Sequence, residues 1–334
     1  MTRNPGQPVS VTIITGFLGS GKTTLLRSLL DDPAMDETAV LINEFGEVGL
    51  DHLLVRKIDD EILLLASGCI CCTVQSDLVE SLAGLFARRD RGEVPAFRRV
   101  IIETTGLADP APIIHLLMTD NLLSCRCRVD GVVTTVDALN GGPRLDADFV
   151  SVKQAAMADR IALTKTDLAG DDTALRMRLA ALNPAAPILS CRHGDLRPNQ
   201  LFADGAAADV GRWLNRDAYR NGKGGNGDNG HGHGHDVRIS SHCMTIDEPV
   251  PWDGFSAWLE SLLASRGDEI LRTKGILNVA GRARPTIIQG VQHIFHPPVE
   301  IDAWPDDDRR SHIVFISRDI SGGAIEASFR GAVH

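Results

Sequence analysis

Val11-Thr12-Ile13-Ile14-Thr15-Gly16-Phe17-Leu18-Gly19-Ser20-Gly21-Lys22-Thr23-Thr24-Leu25-Leu26 is the stretch on which the fold turns. A β-branched apolar run enters a glycine loop, and an amphipathic segment starts directly behind Lys22 and Thr23. The spacing is G-x-x-x-x-G-K-[ST] in the context that gives it meaning, a strand before and a helix after. Glycines let successive backbone N–H groups curl around phosphate oxygens at a helix N-terminus. The pattern assigns Gly16, Gly19, Ser20, Gly21, Lys22, Thr23 and Thr24 to a bound nucleotide. Lys22 is expected at the β/γ-phosphates and the Thr23 hydroxyl on Mg²⁺.

Outward from this loop, short apolar runs alternate with helical patterns. Strands are predicted at Ser10–Thr15, Ala39–Asn43, Glu61–Ala66, Arg99–Glu103, Gly131–Asp137, Arg160–Thr164 and Pro187–Ser190. Helices are predicted at Thr23–Leu30, Gln75–Arg89, Pro110–Met118 and Asp172–Leu182. Nearly continuous apolar strands between helices read as a parallel sheet covered on both faces. The expected fold class is therefore α/β, a P-loop NTPase parallel sheet with helices on both faces, plus a smaller C-terminal α+β domain. The run Asn221–His235 has no apolar side chain and cannot offset its ordering entropy. It divides the chain into a P-loop domain at 1–215, a Gly/His-rich flexible linker at 216–236 and a second domain at 237–334. That second domain is expected to hold strands at Val237–Ile246, Gly275–Ala280, Arg284–Gln289 and His312–Ser317, with one helix at Trp252–Ser265.

A phosphate loop needs a carboxylate at the end of a nearby strand to complete the Mg²⁺ shell. Val100-Ile101-Ile102-Glu103-Thr104-Thr105-Gly106 supplies Glu103, and Gly106 can offer its N–H to a γ-phosphate. Asp137 competes for that role, although a cap on the following segment is its simpler reading. Base choice is expected at Thr164-Lys165-Thr166-Asp167, where a carboxylate past a strand can accept from guanine N1–H and N2–H₂ together. Adenine has no such donor pair on that edge.

Ser67-Gly68-Cys69-Ile70-Cys71-Cys72-Thr73 puts three thiols into four residues at a glycine turn. Metal ligation, a redox pair and an inert buried cluster all fit three thiols, and the turn favours metal. Three cysteines leave room for a carboxylate, and Asn43-Glu44-Phe45-Gly46-Glu47 offers one, Glu47 being the stronger candidate of Glu44 and Glu47. Cys125 and Cys127 form a lone C-x-C, Cys191 reads as core, and Cys243 as an ordinary strand position. His231, His233 and His235 alternate with glycine, which suits metal capture and a plain linker equally.

The 334 residues suit two domains, and 43% hydrophobic with 23% charged residues is a globular balance. Lys and Arg number 34 against 44 Asp and Glu, a formal charge of −10, which argues against nucleic acid as a partner. No membrane span and no signal-peptide pattern are seen, so a cytoplasmic protein is expected. Seven cysteines there suggest thiols or metal ligands instead of a disulfide framework.

Taken together, these segments resemble the CobW-like metallochaperone GTPases, including the YjiA-type proteins. The carriers are Thr15–Thr24, Asn43–Glu47, Gly68–Cys72, Glu103–Pro110 and Thr164–Asp167, with Lys274–Leu277 and Gln289–Gln292 in the distal domain. The resemblance implies a GTPase with GTP/GDP, Mg²⁺ and Zn²⁺ (or Co²⁺) as cofactors and a client metalloprotein as partner. It implies that Cys69, Cys71 and Cys72 carry the metal and that nucleotide turnover gates its transfer. One departure is Ile42, where some relatives carry an acidic residue, so one ligand is missing from that pattern. Self-association is left open. Cobalt handling for cobalamin synthesis is an alternative, because the same thiols suit several metals. A small-molecule P-loop kinase is another, but Arg88, Arg89 and Arg91 read better as the basic end of a helix than as a phosphate lid. A third is a binding-only metal or redox sensor.

Overall fold

The computed structural model describes residues 8–42, 73–202 and 239–333. The predicted strand Glu61–Ala66, the linker 216–236 and His231, His233 and His235 lie outside the described residues. Two compact units are distinguished, Met1–Arg176 with Pro187–Asp204, and Met177–Ala186 with Gly205–His334.

The first unit is built on β1 (Val9–Gly16), β2 (Thr38–Ile42), β3 (Arg99–Glu103), β4 (Cys127–Asp137), β5 (Arg160–Thr164) and β6 (Ile188–Ser190). These pair in parallel in the order β2-β3-β1-β4-β5-β6. The helices in chain order are α1 (Lys22–Leu30), α2 (Thr73–Asp90), α3 (Ala111–Thr119), α4 (Leu123–Arg126), α5 (Gly141–Ala147), α6 (Phe149–Met157), α7 (Thr173–Leu182), which belongs to this unit only as far as Arg176, and α8 (Pro198–Leu201). β2 and β3 lie on one side of β1, and β4 to β6 on the other. The strand order therefore reverses at the phosphate loop, where ligands bind in open α/β sheets.

Successive strand residues face opposite ways, and those facing both ways are buried: Ile13 and Ile14, Ile101 and Ile102, Val132 and Val133. Ile14, Ile101, Val133 and Ala162 pack with Leu25, Leu26 and Leu29 of α1. Each of those leucines contributes about 1.5–3 kcal/mol by burial, so α1 is held on the sheet by its apolar face. β4 starts at Cys127, four residues before the predicted Gly131, with a register shift against β1 between Val11 and Thr12. Arg128 and Asp130 interrupt the apolar pattern there, which hid the extension. The short α5 and α6 also escaped the sequence pattern.

The second unit contains β7 (Ile239–Ile246), α9 (Trp252–Arg266), β8 (Ile270–Leu277), β9 (Thr286–Val291), β10 (Ile294–Phe295), β11 (Val299–Glu300), β12 (Ser311–Arg318) and α10 (Gly322–Val333). Its sheet is antiparallel, in the order β10-β9-β8-β12-β7, with β11 paired to β9. One helix was expected, and two are found among the described residues 239–333. Gly322, Gly323 and Gly331 depress the helix propensity of α10, yet Ile325 and Phe329, one turn apart, are buried in the core. Phe255, Trp258, Phe315 and Phe329 meet there, Trp258 and Phe329 edge-to-face with ring centroids 4.9 Å apart.

No described helix is long and apolar enough to cross a membrane.

Candidate functional site

The phosphate loop leaves β1 at Gly16 and re-enters helix at Lys22, with Gly21 as N-cap in the left-handed region (φ 92°). Gly21 supplies no side-chain cap, so the first-turn N–H groups of α1 point into the loop's mouth. Lys22 Nζ donates to the carbonyls of Gly16 at 2.8 Å and Phe17 at 3.2 Å, which folds the ammonium over the same loop. The predicted Thr23 and Glu103 meet: Thr23 Oγ1 donates to Glu103 Oε1 at 2.8 Å. Register explains the meeting. Glu103 is paired with Ile14 and shares its side of the sheet, the side on which α1 packs.

Glu103 is the last residue of β3 and is 3% exposed, an acidic group buried beside the first turn of α1. A hydroxyl and a carboxylate at one point form an all-oxygen donor set of the kind that Mg²⁺ takes. Beyond β3, Thr104 Oγ1 donates to Thr15 Oγ1 at 2.9 Å and ties the following segment to β1. At Gly106 a Cβ would lie 2.4 Å from the backbone nitrogen of Leu18, so only glycine allows this segment to lie on the phosphate loop. Gln154 of α6, itself 1% exposed, donates to the Ala108 carbonyl at 2.9 Å, and Lys153 pairs with Asp109. Two neighbouring residues of α6 thus hold the 106–109 segment.

Ser20 Oγ is hydrogen-bonded to Thr135 Oγ1 at 2.6 Å, and Thr164 Oγ1 donates to the Ser20 carbonyl at 2.6 Å. The Ser20 side chain is therefore engaged with β4, and its backbone N–H donates to the Phe17 carbonyl at 3.0 Å within the loop. Thr24 is exposed on the outer side of α1, and Gly19 is exposed at the loop's tip. Lys165, in the left-handed region (φ 56°), donates Nζ to Asp137 Oδ2 at 2.6 Å. Asp137 Oδ1 also accepts the Leu139 N–H at 2.8 Å, which is the cap expected of it. Burial alone would raise its pKa, but the bonds from Lys165, Asn140 and Leu139 together hold the carboxyl below its ordinary value. Asp167 follows past β5, with its Oδ2 3.1 Å from Nε2 of His193.

Sequence reasoning missed Thr15, Thr104, Thr135, Gln154 and His193. Hydroxyls inside apolar strands, as in Val132-Val133-Thr134-Thr135, were the available signal. Gln154 and His193 carried none, since neither belongs to a local pattern.

Cys69, Cys71, Cys72, Glu44 and Glu47 lie outside the described residues. Among the described residues, no three His, Cys, Asp or Glu side chains gather as a metal site. Cys125 is exposed, while Cys127 and Cys191 are buried. Burial pushes the Cys127 thiol up to about 12, against the opposing pull of Arg89 and Arg126. A thiol protonated at neutral pH is a poor metal ligand.

Residues 10–190 match the family model for the CobW/HypB/UreG nucleotide-binding domain. This chain belongs to that family. Residues 239–333 also match the model for the cobalamin synthesis protein cobW C-terminal domain. The zinc chaperone YjiA of Escherichia coli (strain K12) is 35% identical over 327 residues, which is 97% of this chain and 98% of that protein. The zinc chaperone CobW of Pseudomonas aeruginosa is 33% identical over 362 residues, 97% of this chain and 91% of that protein. Among solved structures, Zn(II)-bound YjiA GTPase from E. coli superposes with a TM-score of 0.71 at 32% identity, covering 98% of this chain and 99% of that one. Within the CobW family the chain is thus a GTPase of the YjiA type.

Proposed function

We propose that this CobW-family GTPase binds zinc at Cys69, Cys71 and Cys72, with Glu47 as a neighbouring carboxylate, and passes it to a client metalloprotein in a step gated by GTP hydrolysis. The observation that carries the reading is the junction of Thr23, Glu103 and Gly106 at one phosphate loop, with Asp167 two strands away in the same sheet. The likeness of the whole chain to the zinc chaperone YjiA supports zinc as the cargo.

The reaction is the attack of water on the γ-phosphate of GTP, giving GDP and phosphate. Lys22 supplies positive charge at the β/γ-phosphates, which it reaches by exchanging the Gly16 and Phe17 carbonyls for phosphate oxygens. Thr23 and Glu103 would hold Mg²⁺, which when bound neutralises charge on the phosphate oxygens. Glu103 accepts from Thr23 and so orients the hydroxyl lone pairs away from itself. Gly106 donates its N–H to the γ-phosphate, and that hydrogen bond ends when the phosphate departs. Asp167 reads guanine through paired acceptors. The segment at 106–109 and the segment carrying Glu47 respond to the same phosphate, so GTP and zinc favour one state and hydrolysis loosens the metal. The setting is cytoplasmic, without nucleic-acid or membrane partners.

A zinc competition titration on the nucleotide-free, GDP-bound and non-hydrolysable-GTP-bound protein tests this reading. Zinc affinity is expected to be highest with the GTP analogue, by about 1–3 kcal/mol. The coupling should vanish in Cys71→Ser/Cys72→Ser protein. Three equal affinities would remove nucleotide gating from the proposal.

A further inference from the structure

We propose that His193 is a positioning residue for guanine recognition, acting through Asp167; the proposal rests on the guanine reading given above. His193 Nε2 stands 3.1 Å from Asp167 Oδ2, although its own side chain is 85% exposed and that of Asp167 only 21%. An imidazole so open to solvent has no packing reason to lie across a carboxylate. The backbone puts it there.

The loop Cys191–Asp195 is pinned at several points. The Cys191 N–H donates to the Leu163 carbonyl of β5 at 2.8 Å, and the Thr166 hydroxyl donates to the Cys191 carbonyl at 3.4 Å. Arg192 N–H donates to Asp195 Oδ1 at 2.7 Å, and Asp195 N–H returns to the Arg192 carbonyl at 2.9 Å. At Gly194 (φ +85°) a Cβ would come within 2.9 Å of the Thr24 carbonyl and of Ser28 Cβ, so the loop is also packed hard against α1. Between these anchors His193 takes φ 48°, in the left-handed region that is uncommon outside glycine.

The chemistry needs such a neighbour. Guanine offers N1–H and N2–H₂ to the two oxygens of one carboxylate, which must lie in the plane of the base. The terminal torsion of an aspartate is broad, so a lone carboxylate spends much of its time out of that plane. Each carboxylate oxygen has about two acceptor sites. A donor on the outer site of Oδ2 stops the rotation and leaves the inner sites of both oxygens for guanine. His193 Nε2, 3.1 Å from Oδ2, would supply it by turning its N–H onto that site, as the neutral Nε2–H tautomer or as imidazolium. The gain is preorganisation, because the ordering is completed before the nucleotide arrives.

The test is calorimetric titration of GDP and ADP into the full chain carrying no change, His193→Ala, His193→Gly, Asp167→Ala, or Asp167→Ala with His193→Ala. Both His193 variants should weaken GDP by about three- to fivefold, the range of an exposed ion pair, and leave ADP unchanged. Glycine accepts positive φ freely, so equal losses in the two variants tie the effect to the imidazole instead of the backbone. In Asp167→Ala protein, removing His193 should change nothing further. A loss shared by GDP and ADP, a loss that persists without Asp167, or a tighter GDP complex in His193→Ala would each overturn the assignment. Unchanged protein that binds GDP and ADP alike would instead overturn the guanine reading itself.

Discussion

Among the described residues the parallel and the antiparallel sheet have six strands each, and they bury polar groups in opposite ways. In the parallel sheet every strand ends on the same edge. Thr15, Glu103, Thr104, Thr135, Asp137 and Thr164 are all buried at or beside that edge, and most of them bond to one another or to the phosphate loop. The antiparallel sheet has no common end, because neighbouring strands run opposite ways. Its buried Arg272, Thr273, Lys274, Thr286, Ser311, His312 and Ser317 are scattered along three strands instead of gathered at one edge, and four aromatic side chains dominate its core. A parallel sheet concentrates chemistry, whereas this antiparallel one supplies packing. The same number of strands therefore yields a site in one unit and mainly a hydrophobic body in the other.

The largest effect expected from breaking this contrast is on stability. Trp258 is 4% exposed, packs against Phe255, Phe315 and Phe329, and donates Nε1–H to Ser328 Oγ at 3.0 Å. Trp258→Ala should cost about 3–5 kcal/mol in chemical unfolding. A change below about 1 kcal/mol would mean that the aromatic cluster is not what holds that unit together.

At the parallel edge, turnover should respond more than folding does. Lys22→Ala is expected to lower GTP hydrolysis by about 10²–10³-fold through lost phosphate binding. Glu103→Ala should lower Mg²⁺-dependent turnover more than it lowers GDP affinity. Steady-state rates and equilibrium titration on both variants separate the two effects, and an unchanged rate in either would remove that residue from the site.

Gln154→Leu sharpens the contrast one layer further in. It leaves the Ala108 carbonyl without the donor that now holds it, at a cost of about 1–3 kcal/mol. The 106–109 segment should exchange its amide hydrogens faster, and KM for GTP should rise. Unaltered exchange would show that Lys153 and Asp109 suffice to hold the segment.

The smallest effect is electrostatic. The carboxyl of Asp137 titrates below its ordinary value in the folded protein, so its contribution is present above the unfolded-state value and is lost as pH falls through the folded one. Asp137→Asn should destabilise the protein by roughly 1 kcal/mol at neutral pH, the scale of one hydrogen bond. The gap to the unchanged protein should close below about pH 4. A gap of constant size from neutral pH down through that range would show that the Lys165–Asp137 pair contributes no linkage.

Much of this was legible because the signals are local. A strand, a glycine loop and Lys22-Thr23 are contiguous, and their hydrogen bonds run between neighbours in sequence. The end of an apolar strand likewise marked Glu103, and the residues past another marked Asp167. The glycines of α10 and the charged interruption in β4 misled the pattern, since long-range burial there overrides local propensity.

The amino-acid sequence by itself determined the parallel architecture and the glycine loop, and it marked the candidate residues around that loop, because periodicity and short spacings encode them. Only the tertiary structure decided which distant side chains meet. Thr23 and Glu103 are 80 residues apart and touch because β1 and β3 pair in one register. Ser20 reaches Thr135 across 115 residues, for which the pairing of β1 with β4 is responsible. His193 reaches Asp167 because a loop pinned to β5 and α1 leaves its backbone in a left-handed turn. Such meetings depend on register and loop geometry, which no single segment contains.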